Sequence, residues 1–521
     1  MKENGLSRKI YLELDPPSEE DQASCQRRIL RALEDQGIRA KLSLTVLKAL
    51  YPLCDRADWK VTVSLAYDGE RWIAAAIEEG DTSAEHYGLA VDLGSTSVVM
   101  QLIDCNTGRI VAQESVYNRQ IAFGEDILTR IFYSKDDAGH LEEIRQATVD
   151  TFTELMKKLQ QVTGVDTEKC ISMVVAGNTT MIHFLIGLDA FCVFSSPYAV
   201  RADEPGFYTG KELGIPVPGF VFCYPGKANY LGGDIISGMV ATGIHKKEEI
   251  SLFFDVGTNG ELVVGNQCFL LCGAGAAGPA LEGGVVKTGM RAAAGAVESV
   301  KLTDGEFELG VIGDTAPAGI CGSGIVDLLS ELFIHGWVDL RGRLQPEASG
   351  KIEWRGKEEE YAVCYAPGLW FFQSDINEFL RTKAAAYTMM EYIMSEAGMG
   401  LGDVSDFYMA GAFGTHVRKE SAVNIGMYPD VELSRIHSAG NSSLDGARML
   451  LLDRGILMEL DHILELMSYV QFGAVEDFVQ KMVAASALPH TDMERYPSVA
   501  ARLRDGQKEK AGERGKRTWR I

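Results

Sequence analysis

Two stretches of this chain share one pattern, and that pattern restricts the folds open to it. Residues 89–99 read LAVDLGSTSVV and residues 252–264 read LFFDVGTNGELVV. Each is an apolar strand that reaches Asp, steps to Gly, passes a hydroxyl residue and enters a second apolar strand, which is a β-hairpin with a carboxylate at its tip. Gly94 and Gly257 let the main chain approach a ligand closely. Ser95, Thr96 and Thr258 offer hydroxyl and N–H groups to phosphate oxygens, and Asp92 and Asp255 can hold Mg2+ through water. One such turn is ordinarily only a turn. Two copies in the same frame, about a domain length apart, predict a duplicated fold whose hairpins grip one polyphosphate from both sides.

A chain of 521 residues with 46% hydrophobic content can bury more than one core. The formal net charge of −23 argues against a nucleic-acid or anionic-membrane surface. The first residues lack an apolar leader and no window is apolar for the length of a membrane span, so a cytoplasmic protein is expected. The ten cysteines are scattered without paired spacing, which fits a reducing compartment. From 502 to the end, eight Lys/Arg stand against three Asp/Glu with no apolar period, and 491–521 reads as a basic, disordered tail.

Taken in order, 1–84 reads as a small α/β unit. A strand covers 10–14, and Pro16 and Pro17 turn the chain into a helix that stops at Gly37. A second helix lies at 42–50, and strands 59–67 and 70–77 are joined by Asp68-Gly69, a hairpin signal. The larger domain, 85–490, opens on the first hairpin. Helices are predicted at 127–132 and 141–162, then a strand at 171–176 that breaks on Gly177-Asn178-Thr179-Thr180 before an apolar helix. A strand breaking on Gly at a helix start is where α/β proteins place ligands, although a turn capped by Thr179 or Thr180 accounts for the same residues. Gly232-Gly233-Asp234 opens another helix. Ile320-Cys321-Gly322-Ser323-Gly324 precedes a third, and Ser374 is the expected cap of a long amphipathic helix at 376–397. Strand 407–410 leads into a glycine-rich turn, Gly411-Ala412-Phe413-Gly414.

These pieces, in this order, resemble the acetate/sugar kinase, heat-shock chaperone and actin superfamily. YGLAVDLGSTSVV, AGNTTMIHFLIG, FFDVGTNGELV, AGPALEGG, ICGSGIVDLL, QSDINEFLRTKAAA and MAGAFGTHV together are similar to the ATP-dependent reductive activators of corrinoid proteins. The resemblance spans about 10–490 and implies an α/β fold: a duplicated actin-like, ribonuclease H-like ATPase domain preceded by a small domain similar to that family's middle domain. It implies an activator that couples ATP to returning Co(II) corrinoid to Co(I). The implied cofactors are ATP and Mg2+, the implied partner is a corrinoid protein of a methyl-transfer system, and the implied assembly is a homodimer. Asp92 and Asp255 would organise Mg2+. Gly94, Ser95, Thr96, Gly257, Thr258 and Asn259 would hold phosphates, and Gly411, Ala412, Phe413 and Gly414 would cover the adenosine. Asn178, Gly233 and Asp234 would line the cleft, with Glu261 activating water.

Activators of this kind usually begin with a ferredoxin domain carrying a C-x4-C-x2-C run, which these residues lack, so a separate ferredoxin-like donor is expected and an iron-sulfur cluster in this chain is not. Two other readings stay open. A small-molecule kinase would need a carboxylate base, for which Asp234 and Glu261 are candidates, although Asp234 serves equally as a helix cap. An ATP-dependent clamp or chaperone for a corrinoid protein or methyltransferase would need no net reduction. Cys272 and Cys321, each at a glycine turn, could hold a bridging cluster, but such cysteines are more often small buried fillers. His183 and His416 read as structural histidines, and the methionines of 387–394 as a core or interface face.

Overall fold

The computed structural model of the protein describes residues 4–257, 259–276, 286–470 and 478–504. Thr258, the stretch 277–285 and residues 505–521 lie outside the described residues, as do the side chains of Asn259, Ala412 and Phe413. The first part of the expected tail is a correction: Tyr496 and Val499 are buried in an apolar core and Ser498 is bonded to Asp430, so 491–504 is packed structure. No helix among the described residues is long and apolar enough to cross a membrane.

The chain opens with β1 (Ser7–Glu13), a helix Cys25–Asp35, β2 (Ala40–Leu42), a helix Leu44–Arg56, β3 (Lys60–Tyr67) and β4 (Trp72–Glu79), which form a four-stranded sheet in the order β1-β3-β4-β2. Ile29 and Leu33 of the first helix and Val46, Leu50 and Cys54 of the second share one apolar core with the strands. The turn at Asp68-Gly69 is present, with Asp68 Oδ1 accepting the N–H groups of Glu70 at 2.9 Å and Arg71 at 2.8 Å. The first helix does not begin at the Pro16-Pro17 turn. It starts after Ser24, whose hydroxyl accepts the Arg27 N–H at 3.2 Å, because a first turn needs an acceptor that the prolines do not supply.

The duplication appears as strand order. In the first sheet β5 (Tyr87–Leu93), β6 (Ser97–Asp104) and β7 (Arg109–Tyr117) form an antiparallel meander; β8 (Met173–Gly177) lies parallel to β5, and β10 (Phe220–Cys223) lies parallel to β8. In the second, β11 (Ser251–Val256), β12 (Asn259–Asn266) and β13 (Phe269–Ala276) form the meander, with β20 (Asp406–Ala410) parallel to β11 and β21 (Ile436–Gly440) parallel to β20. Both sheets have six strands, β7-β6-β5-β8-β10-β9 and β21-β20-β11-β12-β13-β22, so the same five-strand order recurs. The added edge strands are β9 (Gly206–Thr209) and β22 (Met467–Tyr469). Between β13 and β20 the chain builds two three-stranded sheets, β14 (Ala296–Thr303), β15 (Glu306–Val311) and β16 (Gly319–Ile320), then β17 (Ile352–Arg355), β18 (Glu360–Ala366) and β19 (Leu369–Phe372).

Two compact units result, Met1–Gly243 with Ser442–Met467, and Ile244–Asn441 with Ser468–Ile521. Neither is contiguous, because the helices Ser442–Leu452 and Ile456–Leu466 return to the first unit.

In the second unit the helix Gln373–Glu396 buries Ile376, Phe379, Leu380, Ala384, Tyr387 and Met390, the face expected from the apolar period, and Met389 and Met394 join the same core. Ser374 is not its cap. Asp375 reaches back to accept the Phe372 N–H at 2.9 Å, while Glu360 draws both the N–H and the hydroxyl of Ser374 at 2.7 and 2.9 Å.

The interior of this helix holds a charge. Lys383 is fully buried, and its Nζ donates to the carbonyls of Ala485 and Ala487, each at 2.7 Å, and to that of Pro489. This one ammonium ties the segment after the helix Phe478–Ala485 to the core. Its removal leaves three buried acceptors without a donor, so Lys383→Ala is expected to lower unfolding free energy by about 3 kcal/mol or more in a denaturant titration.

Candidate functional site

Within the first unit the parallel pairing of β5 and β8 sets Asp92 beside Ala176 and Leu93 beside Gly177, so both strands end at one level. From β5 the chain turns through Gly94, Ser95 and Thr96. A Cβ on Gly94 would lie 2.5 Å from the Ser97 carbonyl oxygen, so this turn accepts only glycine. From β8 the chain enters the helix Thr179–Ile186, and Asn178 is its N-cap, accepting the Met181 N–H at 3.0 Å. The alternative caps are thereby corrected. Thr179 is the first helical residue and donates its hydroxyl to the Ala228 carbonyl at 3.0 Å.

The start of the helix Gly233–Thr242 comes against this turn. A Cβ on Gly232 would stand 2.5 Å from both the Asn178 Cα and the Thr179 nitrogen, which explains the Gly232-Gly233 pair by close backbone approach. Asp234 sits in the first turn of that helix and accepts the Ile235 N–H at 2.9 Å, so it is not the N-cap, a position Gly232 holds without a side-chain bond. Burial pushes the Asp234 carboxyl up to about 7, and the neighbouring charge of Asp92 acts in the same direction. Asp92 in turn accepts the Ser443 hydroxyl at 2.9 Å. The sequence reading missed Ser443. Its signal was the turn Gly440-Asn441-Ser442-Ser443 at a helix start, the same mixture of glycine and hydroxyl found at 177–180. Ser237 secures that helix by donating to the Ser443 carbonyl at 2.6 Å.

In the second unit Asp255 is flanked on both sides. It pairs with Glu261 across the hairpin to β12 and with Ala410 on the parallel strand β20. The two carboxylates are therefore directly opposed cross-strand neighbours, and Gly257 continues the chain from the same hairpin. The segment after β20 is a correction: residues Gly411–His416 form a short helix and not an open turn. Gly411, at φ +81°, reverses the chain immediately after the strand, and the Ser438 hydroxyl binds the Gly414 carbonyl at 2.9 Å.

The residues read as structural behave as such. His183 is fully buried; Nδ1 donates to the Thr179 carbonyl at 2.7 Å, and Nε2 accepts the N–H groups of Arg201 at 3.1 Å and Ala202 at 3.4 Å. Cys272 and Cys321 are buried, with their thiols on the carbonyls of Leu270 and Val297.

The Asp234 environment sets a pH dependence. Its folded value of about 7 lies above the ordinary 3.8, so the stability contributed by the protonated form is complete below 3.8 and is lost as pH rises to about 7. Asp234→Asn keeps a neutral group at every pH. Without nucleotide or Mg2+, its melting temperature should match the parent at pH 4 and exceed it by several degrees at pH 8; equal melting temperatures at pH 8 would show that burial and the Asp92 charge do not hold the carboxyl up.

Comparison with known proteins follows the same layout. Three family profiles match: the RACo linker region at 3–84, the RACo middle region at 87–247, and the C-terminal domain of RACo, the ASKHA domain, at 249–500. The small N-terminal unit is thus covered by the linker profile. The chain is 32% identical over 384 residues to the corrinoid activation enzyme RamQ of Eubacterium limosum, a match spanning 71% of this chain and 64% of that protein, less than two thirds of its length. It is 24% identical over 424 residues to a [Co(II) methylated amine-specific corrinoid protein] reductase of Methanosarcina barkeri, covering 73% of this chain and 72% of that one. The solved structure of a reductive activator for corrinoid, iron-sulfur protein superposes with a TM-score of 0.87 at 33% identity, covering 95% of this chain and 81% of its own. With matching profiles along nearly its whole length and that structural agreement, the chain belongs to the RACo family of corrinoid reductive activators.

Proposed function

We propose that this protein binds and hydrolyses ATP to help return an inactive Co(II) corrinoid protein to Co(I), with electrons supplied by a ferredoxin-like donor outside these residues. The observation that carries the reading is the recurrence, in a chain of this family, of one strand order that twice ends a central strand on Asp beside a helix start, at Asp92 and at Asp255.

The first unit fits a magnesium–phosphate ligand by its charge. Asp92 and Asp234 crowd negative charge that a divalent cation relieves. Asp92 and Asp255 would hold Mg2+ through water. Gly94, Ser95, Thr96, Gly257, Thr258 and Asn259 would bind phosphate oxygens, with Asn178 and Gly233 beside them, and 411–414 would cover the adenosine. Glu261, opposed to Asp255, would take the proton of the attacking water. ATP with Mg2+ supplies the free energy. For a one-electron couple about 59 mV is tenfold, so a gap on the order of 200 mV costs roughly 5 kcal/mol, within reach of one hydrolysis. The protein acts in this scheme as a homodimer on a corrinoid protein of a methyl-transfer system.

The test follows Co(I) by absorbance with purified protein, a Co(II) corrinoid protein, ATP and a separate low-potential donor. Reduction should require both ATP and the donor; ATP turnover indifferent to the corrinoid protein, with no Co(I), would replace the proposal by a kinase or a clamp. Glu261→Gln should lower ATP turnover by about 100-fold or more while nucleotide affinity holds. Undiminished turnover would remove Glu261 from that role.

A further inference from the structure

Behind the first hairpin lies a buried polar cluster that none of the assigned roles uses. Asn118, Gln120, Arg130 and Thr148 are all fully buried. Asn118 Nδ2 donates to the Gly94 carbonyl at 2.9 Å, Arg130 Nη1 to the Ser95 carbonyl at 2.6 Å, and the Asn118 main-chain N–H to the Thr96 carbonyl at 2.9 Å. Three consecutive carbonyls of the turn are thus held from one side. The N–H groups of the same three residues have no acceptor among the described residues. A partly buried turn with its carbonyls satisfied and its N–H groups open is a concavity for an anion.

The charge points the same way. Besides Ser95, the Arg130 guanidinium binds only neutral acceptors, the carbonyls of Gly124 at 2.8 Å and Glu125 at 3.4 Å and Gln120 Oε1 at 3.4 Å, and no carboxylate among the described residues lies within ion-pair distance of it. Asp126 favours the Arg130 cation only by its charge from beyond ion-pair distance, its carboxylate capping the helix Ile127–Ser134 by accepting from the Thr129 N–H at 2.7 Å and hydroxyl at 2.9 Å. A buried cation without a paired anion is costly. Here one carbonyl separates it from the turn that would face phosphate.

On the reading of the hairpin as an ATP site, we infer that Asn118 and Arg130 are its positioning residues: they turn the carbonyls of Gly94, Ser95 and Thr96 away from the polyphosphate, present the N–H groups to it, and place a buried positive charge behind it. Gln120 keeps the pair aligned, giving its N–H to Asn118 Oδ1 at 3.0 Å and its amide to the Thr148 hydroxyl at 2.6 Å.

The experiment is calorimetric titration of the full chain with MgATP and, separately, with adenosine, for the parent, Arg130→Met, Arg130→Lys and Asn118→Asp. The last keeps the oxygen accepting the Gln120 N–H, removes the donor that faces Gly94 and Met181, and sets a carboxylate against the charge of Arg130. MgATP affinity should fall on the order of 10- to 100-fold in Arg130→Met and Asn118→Asp, with Arg130→Lys intermediate and adenosine affinity unchanged throughout. Parent protein that binds no MgATP overturns the nucleotide reading and this inference with it. MgATP bound with parent affinity by Asn118→Asp or Arg130→Met overturns the inference alone. An Arg130→Met protein that loses adenosine as well has lost its fold, and Asn118→Asp then decides.

Discussion

The structure depends on one constraint, the parallel pairing of a hairpin's first strand with a strand from far along the chain. β5 with β8 and β11 with β20 each bring a strand with a carboxylate one residue before its end level with a strand that leads into a helix start. Strand ends of a parallel pair share a level because the ladder leaves no freedom along the strand, and main-chain N–H groups at the adjoining helix start point the same way. Asp92 beside Ala176 and Asp255 beside Ala410 are two results of the same geometry.

Several polar groups that would be expensive to bury are given a structural use. Lys383 gathers three carbonyls, His183 spans a helix turn and a loop, and Arg130 and Asn118 satisfy the underside of a turn. Asp234 departs from this pattern. It lies beside Asp92, its carboxyl held up near 7 by burial and by that charge, and no basic side chain is among the causes. A buried carboxyl raised in this way beside a second acid is characteristic of sites where a ligand completes the electrostatics.

How much of the site was legible depended on sequence separation. Asp92, Gly94, Asp255, Glu261 and Gly411 sit inside motifs a few residues long, where hydrogen-bond geometry and the absence of a Cβ are local matters, and the structure gathers them as Asp92 with Asn178, Gly233 and Asp234 in one unit and Asp255 with Glu261 and Gly411 in the other. Ser443 reaches Asp92 across 351 residues, Arg130 reaches Ser95 across 35 and Asn118 reaches Gly94 across 24. No local period announces such contacts. Helix boundaries failed for a related reason: Glu360, 14 residues away, takes the Ser374 hydroxyl that a local reading assigns to capping, and Asp375 accepts the Phe372 N–H instead.

By itself the sequence determined the two hairpins, their carboxylates, the alternation of strands and helices, and the family resemblance, because strand period, turn chemistry and glycine placement act over a handful of residues. Only the tertiary structure decided that the chain returns at 442–467 to its first unit, that Asp234 shares its surroundings with Asp92, and that the turn at 94–96 is held from behind by Asn118 and Arg130. Those outcomes rest on burial and on bonds between distant segments, and both exist only once the sheets have formed.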